Sequence, residues 1–345
     1  MSVMGQGALR GILSLASHSI HRFIVCLLGC HSKQQVIMSA VTMEKPPSTP
    51  SSKSDTPYAI TVEKDARALG RSELALRELK KVAREGITLA GGPAAILLQI
   101  AHPKVGQGVA DHSTFTTRAI SRAQYTQIYI YAMIFGTPEE KEAVTAWVNQ
   151  AHSRVTGQTN NISYNAKDPE LQVWVAATIY ASMVGMYELI YGPLPPTRAE
   201  LVYQAFSVMG TSLQVPDHMW PVDLKAFKVY WKDMIENHLL VTPDARKVLK
   251  DLFHPRGLPL WAKPVAIAAL PFVRPITIEQ LPPTIREQFG LKTTRTSRAI
   301  AGLFVSGMAC VWPFTPLFLR QMPKTYAMRL LRKRMKKRGG QLIKA

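Results

Sequence analysis

The chain has 345 residues, of which 47% are hydrophobic and 19% are charged, so it can bury a substantial core and is not disordered throughout. The formal net charge is +19, but ten of the Lys and Arg residues lie from Arg320 onward, where the sequence has no acid. The basic excess therefore lies in a tail and does not indicate a basic nucleic-acid-binding domain. Three cysteines are too few for a disulfide framework and favour a reducing environment.

Residues 1–57 have the composition of a leader and a linker. Met1–Met43 contains three basic residues, many serines and no Asp or Glu, which is typical of an organelle transit peptide. Translation from Met38 or Met43 is the alternative. The stretch "EKPPSTPSSKSDTP" that follows is a Pro/Ser linker with little to bury. We predict that residues 1–57 are poorly ordered.

From residue 58 to residue 320 the pattern is helical. The segment "SELALRELKKVARE" places leucines and Val82 at helical spacing, with charges between them. Pro93 follows two glycines, as at a first helical turn, and Asp168 before Pro169 begins another helix. Alternating β-branched runs are nearly absent. We predict an all-α fold, with one multi-helix globular domain and a buried cofactor pocket in its helical core.

A well-defined helix carries His152. Thr137 and Glu140 form a capping box at its start, and Gly157 is the predicted stop. Trp147 and Val148, which precede His152 by one turn and more, are apolar, so the histidine lies on the buried stripe. It is either a hydrogen-bonded core histidine or a metal ligand, because both need a neutral imidazole whose ring nitrogens are satisfied.

The apolar helix that precedes it, "RAQYTQIYIYAMIFG", has two polar groups one turn apart. Arg122 and Thr126 share a face by the i, i+4 rule, with Tyr125 beside them. A buried guanidinium needs an anion, which is either a structural partner such as Asp111 or a bound ligand. Further polar residues in this apolar region are His102 and His112.

The late part of the chain contains two very apolar segments, residues 258–273, which prolines interrupt, and residues 299–319. Residues 299–319 have no charge over 21 positions, long enough to cross a membrane, but Pro313 and Pro316 suit a buried or interfacial helix as well. The basic tail that we assign to residues 321–345 suits an anionic membrane surface.

Several other functions find no support in the sequence. It has no zinc-finger spacing, no aromatic RNA-binding motif and no basic region leading into heptads, so no nucleic-acid partner is expected. It also lacks an HExxH motif, a phosphate-binding loop and a GxSxG elbow.

Taken in order, several motifs resemble one family. They are "GPAAILLQIAHPKVGQGVADHSTF", Arg122-x3-Thr126, Phe135-Gly136, His152-x2-Val-x-Gly, "YNAKDPELQVWVAAT" and "LPPTIREQFGL". Their order and spacing over about residues 80–320 resemble the MpaB / rubber oxygenase (latex-clearing protein) catalytic domain. That family is all-α and holds haem b in a helical core. Its rubber-cleaving members split isoprenoid double bonds with O2, and MpaB itself, an endoplasmic-reticulum membrane protein, cleaves a prenyl side chain.

The resemblance assigns roles to residues of this chain. It implies that His152 is the proximal ligand of haem iron and that Arg122 and Thr126 lie in the distal pocket. Tyr125 stands where the rubber oxygenases have a lysine, and Ala176 stands where many relatives have a histidine. A phenol retains a hydrogen-bond donor but not the positive charge.

The resemblance therefore predicts a membrane-associated haem b oxygenase that uses O2 to cleave a C=C bond in an apolar, prenyl-like small molecule, plausibly in secondary metabolism. His152 and Arg122 would bind the cofactor, and Arg122, Tyr125 and Thr126 would be catalytic. The endoplasmic reticulum is the expected location, and cytoplasm or an organelle is the alternative if the leader is a transit peptide. One alternative function is a zinc-dependent, cyclopenase-like rearrangement or lyase reaction with His102 and His112 as additional ligands. The other is a membrane-anchored helical protein without catalysis.

Overall fold

The computed structural model describes residues 72–112, 115–253 and 263–342. The first seven α-helices are α1 (Glu73–Ala83), α2 (Gly92–Ala101), α3 (Pro103–His112), α4 (Phe115–Phe135), α5 (Pro138–His152), α6 (Pro169–Tyr191) and α7 (Pro196–Gly210). The next seven are α8 (Leu224–Asp233), α9 (Pro243–Phe253), α10 (Lys263–Glu279), α11 (Pro283–Gln288), α12 (Arg295–Val311), α13 (Leu317–Arg320) and α14 (Met322–Lys337). The predicted all-α domain is confirmed. The predicted leader and linker, residues 1–57, lie outside the described residues.

Shorter elements connect these helices. Three 3-10 helices span Gly86–Gly91, Asp217–Met219 and Trp312–Phe314, and a π-helical turn spans Met234–His238. Strands β1 (Thr156–Thr159) and β2 (Ile162–Asn165) form an antiparallel hairpin in which Thr156 pairs with Asn165. This hairpin is the one sheet among the described residues.

Helix α5 begins as the sequence predicts and ends earlier. The Thr137 hydroxyl accepts a hydrogen bond from the Glu140 backbone at 3.2 Å, and the Glu140 carboxylate accepts one from the Thr137 backbone at 3.0 Å. The helix ends at His152, so the predicted stop at Gly157 is wrong. Gly157 belongs to β1, where a Cβ would lie 2.6 Å from the Tyr164 hydroxyl across the hairpin. The glycine is needed for that close approach.

Helix α6 is the centre of the core. Trp174 is fully buried, and its indole N–H donates to the Leu98 carbonyl at 3.2 Å, which satisfies the one polar atom of the side chain. The helix packs against α2, α7 and α12. It is also one of two helices among the described residues that are long and apolar enough to cross a membrane, but 56% of its apolar stretch is buried inside the protein. The other is Arg295–Phe314, of which 11% is buried.

The basic segment at the end of the chain is part of the domain. It forms α14, which packs against α4 and buries Ala327, Met328 and Leu331 in the main core. The Arg332 guanidinium donates to the Glu140 carboxylate at 2.7 Å, which links α14 to the start of α5. The boundary that we predicted at residue 320 therefore does not separate a free tail from the domain, because α14 contributes an apolar face to the core.

Candidate functional site

Helix α4 presents Arg122, Tyr125 and Thr126 on a face that water reaches. All three side chains are exposed, whereas Ile128 and Tyr131 on the opposite side of the helix are buried in the core. Burial nevertheless lowers the pKa of the Arg122 guanidinium, so protein surrounds it closely. The Arg122 side chain is therefore partly accessible to water and partly surrounded by protein.

His152, the last residue of α5, lies near enough to Arg122 for the guanidinium charge to act on its imidazole. Its Nδ1 atom is buried and has no hydrogen-bond partner. Burial lowers the pKa of the imidazole, and the positive charge of Arg122 lowers it further. Two consequences follow. The imidazole is neutral at pH 7, and it lies within electrostatic range of Arg122.

Tyr125 is held between two other elements. Its ring meets Trp147 of α5 edge-to-face, with centroids 4.7 Å apart and planes at 89°. The Arg334 guanidinium of α14 lies over the same ring, 5.0 Å from its centroid. The Tyr125 phenol is therefore positioned by an aromatic contact with Trp147 and a cation–π contact with Arg334.

Asp111, the structural partner considered for Arg122, is engaged elsewhere. Its carboxylate accepts hydrogen bonds from Gln107 at 2.8 Å and Tyr164 at 2.9 Å. Burial acts to raise its pKa, but hydrogen bonds outweigh burial and the pKa is lowered. His112 joins the same group, with its Nε2 atom 3.0 Å from the Tyr164 hydroxyl. This polar cluster fastens α3 to the β-hairpin.

His102 ends α2, and its Nδ1 atom is buried without a hydrogen-bond partner. Burial, with smaller contributions from Lys104 and His238, lowers its pKa to about 4. Across residues 72–112, 115–253 and 263–342, no three His, Cys, Asp or Glu side chains are grouped so that they could hold a metal ion. His102, His112 and His152 are thus not brought together in a shared ligand set.

The sequence does not predict that the loop after α7 contacts both site helices, α4 and α5. The Gln214 side-chain amide donates to Asn149 of α5 at 2.7 Å, one turn before His152. Ser212 in the same loop forms a hydrogen bond with the Tyr129 hydroxyl of α4, one turn after Thr126. The loop thus makes one hydrogen bond to each of the two site helices. Local sequence patterns do not predict contacts between residues so far apart. The contact between Arg334 and Tyr125 is not predicted for the same reason.

The lowered pKa of the His102 imidazole leads to a prediction about the stability of the protein in acid. Between pH 6.5 and about 4 the unfolded chain binds a proton at this residue and the folded chain does not. The contribution to the free energy of unfolding is therefore complete above pH 6.5 and is lost as the pH falls towards 4. We expect His102→Gln to lose less stability than wild type between pH 7 and pH 5 in urea unfolding. The exposed His218, changed to Gln, is the control, and equal losses in all three proteins would contradict the prediction.

Comparison with known proteins identifies the class to which this fold and site belong. The family described as "ER-bound oxygenase mpaB/B'/Rubber oxygenase, catalytic domain" matches residues 79–311. The chain belongs to this family and carries an oxygenase catalytic domain, which makes it an oxidoreductase. The ER-bound description and the two apolar helices point weakly to membrane association.

Two mycobacterial proteins are similar in sequence. They are Uncharacterized protein Mb2261 of Mycobacterium bovis and Uncharacterized protein Rv2237 of Mycobacterium tuberculosis. Each is 35% identical over 212 residues, which is 60% of this chain and 82% of the relative. No solved structure matches the chain.

Proposed function

We propose that the chain is a haem b-dependent oxygenase that uses O2 to cleave a C=C bond in an apolar, prenyl-like small molecule. The observation that carries the proposal is the neutral His152 imidazole, which has a buried, unpartnered ring nitrogen and lies within electrostatic range of Arg122. Haem b, when bound, supplies the activation of O2 that oxidative cleavage requires.

The available donors fit haem better than a bare metal ion. Zinc held by protein side chains takes three or four of them, and the described residues contain no such group. Haem brings four nitrogens of its own and would need one protein ligand, which His152 would provide. This is why we favour haem over the zinc-dependent rearrangement or lyase reaction.

The other site residues have distinct roles in this proposal. Arg122 has a permanent charge in a desolvated setting, where it stabilises negative charge more strongly than in bulk water. Tyr125 and Thr126 add hydroxyl donors on the same face of α4. The Trp147 ring beside Tyr125 supplies an apolar wall for a prenyl-like substrate.

The direct test is the absorption spectrum of the full chain expressed with haem supplementation, together with elemental analysis. The proposal predicts a Soret band and about one iron per chain. Zinc without iron would favour the rearrangement or lyase enzyme. A folded protein with neither metal nor haem would favour the membrane-anchored protein without catalysis, and either result would end the proposal.

We also propose that the protein binds an anionic membrane surface, the endoplasmic reticulum in the first instance, where an apolar substrate would accumulate. The supporting surface is an apolar face formed by Leu303, Val311, Phe314, Phe318 and Met322, each of which is more than half exposed. No Asp or Glu follows Glu287 in the sequence, whereas 13 Lys and Arg residues do. Apolar side chains beside uncompensated cations suit an anionic bilayer interface.

The membrane proposal predicts the effect of removing part of this face. The triple substitution of Val311, Phe314 and Phe318 by serine should lower binding to anionic phospholipid vesicles by more than about 100-fold, because each buried apolar side chain contributes about 1.5–3 kcal/mol. Cosedimentation measures the binding. Val229 and Leu240, which are 67% and 63% exposed, are changed to serine as the control. Equal binding by the two variants would contradict the prediction.

A further inference from the structure

Two glutamine side chains connect helices α5 and α6 close to His152. Gln172 lies in the first turn of α6 and is 7% exposed, and Gln214 lies in the loop after α7. The Gln172 side-chain amide donates to the Gln214 side-chain oxygen at 2.7 Å, and the Gln214 amide donates to Asn149 of α5 at 2.7 Å. We call these three side chains the amide chain.

The amide chain also holds the far end of the segment that contains His152. The Gln172 amide donates a second hydrogen bond, to the Ala166 carbonyl at 2.9 Å. Ala166 directly follows β2, and Asn149 precedes His152 by three residues on α5. The stretch between them, which includes the end of α5 and the β-hairpin, is therefore linked at both ends to the Gln172 side chain, at one of them through Gln214.

The partners of the Gln172 amide allow it one orientation. Its nitrogen faces two oxygen atoms, those of Ala166 and the Gln214 side chain, and its oxygen accepts the Gln214 backbone N–H at 3.0 Å. A flipped amide would place oxygen against two oxygens and N–H against N–H. Because the side chain is buried, water has little access to replace these three hydrogen bonds, and their loss would leave polar groups without partners.

His152 needs such support because it is the last residue of α5, and helix ends fray where their backbone groups are not held. Its buried Nδ1 atom has no hydrogen-bond partner, so the imidazole is not held through that atom. The position of the ring therefore depends on the backbone at the end of α5. The Asn149 backbone carbonyl accepts the Ser153 N–H at 3.0 Å, so the amide chain acts on the turn that carries His152.

We infer that Gln172 is a positioning residue, which holds the His152 imidazole in place for the ligation of haem iron and acts through Gln214 and Asn149. This inference rests on the proposed function for the role of His152 as the iron ligand. Gln172 acts through other residues and is not itself a ligand. Residues that support a metal ligand in this way typically contribute about 10–100-fold to metal affinity.

The first arm of the test is a haemin titration of the full chain. Gln172→Met keeps the length of the side chain and removes its hydrogen bonds, and it should weaken haemin binding at least about tenfold. Gln204→Met is the matched control, because Gln204 is 4% exposed and its amide also donates twice, to Glu200 and Val222, neither of which belongs to α5. The control should be less stable than wild type and should bind haemin with unchanged affinity.

The second arm removes the covalent link between the imidazole and α5. In His152→Gly with added imidazole, the ligand comes from solution and its position no longer depends on the helix. Adding Gln172→Met to this background should leave haemin affinity unchanged. An equal loss of affinity with and without the His152 side chain would show that Gln172 supports the haem-binding region in general, and it would refute the positioning role.

A third measurement does not involve haem. Hydrogen exchange in the apoprotein should be faster at residues 150–155 in Gln172→Met than in wild type, and unchanged there in Gln204→Met. Gln214→Met, at a half-buried position, breaks the same link with less disturbance of the core and should have the same effect. Exchange at wild-type rates in both Gln172→Met and Gln214→Met would refute the inference.

The two hypotheses fail separately. A chain that binds no haemin, yet exchanges faster at residues 150–155 in these two variants, would refute the haem oxygenase and retain the role of Gln172 in fixing the end of α5. A chain with a Soret band whose haemin affinity does not change in Gln172→Met would refute the positioning residue alone.

Discussion

His152→Ala is expected to abolish the Soret band of the haem-supplemented protein and to lower haem affinity by more than about 100-fold, beyond the loss usual for a residue that only supports a metal ligand. Among the described residues, His152 is the imidazole that combines an unpartnered ring nitrogen with proximity to Arg122. The absorption spectrum and a haemin titration measure the effect. His152→Gly with added imidazole should restore part of the band, because the free imidazole occupies the space that the side chain leaves.

The control separates ligation from folding. His218 is exposed on a 3-10 helix, and His218→Ala should leave the spectrum unchanged. The apoprotein of His152→Ala should unfold at a urea concentration close to that of wild type, because the imidazole makes no hydrogen bond through Nδ1 that the substitution would remove. A Soret band of normal intensity in His152→Ala would show that another residue holds the haem.

The helical part of the fold could be read from local sequence because its determinants are local. Thr137, Pro138 and Glu140 lie within four positions, and each acts on backbone groups of the same turn. The β-hairpin was missed because its strands have four residues each and are largely polar. Gly157 was read as a helix stop for the same reason. Its actual role, to admit the Tyr164 hydroxyl, depends on a cross-strand partner.

The candidate site, too, could be predicted from the sequence only where its determinants are local. Arg122 and Thr126 were found because a helix places residues four apart on one face, and a guanidinium in an apolar helix requires an explanation. The partners of these groups could not be found from local pattern. Arg334 is 209 positions beyond Tyr125 in the sequence, and its basic neighbours predict a tail that binds an anionic membrane surface, not a contact with Tyr125. The segment instead folds as helix α14 and packs on the core, because Ala327, Met328 and Leu331 give it an apolar face.

Glu85→Ala is expected to cost about 3–5 kcal/mol in the free energy of unfolding, the range for breaking a buried ion pair by removing one partner. Glu85 is 2% exposed, and its carboxylate accepts hydrogen bonds from Tyr191 at 2.8 Å, Trp312 at 3.0 Å and Arg320 at 3.1 Å. Burial raises the pKa of Tyr191 to about 12, so its hydroxyl remains a donor at neutral pH. Without the carboxylate, the half-buried Tyr191, Trp312 and Arg320 lose a shared acceptor, and Arg320 loses its counter-charge.

Urea unfolding measures this cost, with the exposed Glu142→Ala as the control. The double variant Glu85→Ala/Arg320→Met should be less destabilised than the sum of its single variants, because each single change leaves an uncompensated group that the double change removes. Additive effects would contradict this coupling. The ion pair joins the end of α1 to the segment between α12 and α14, which carries Phe314 and Phe318. Loss of the ion pair should therefore allow this segment to detach from the domain before the core around α6 unfolds. Hydrogen exchange would detect this as faster exchange at residues 312–320 than in α6.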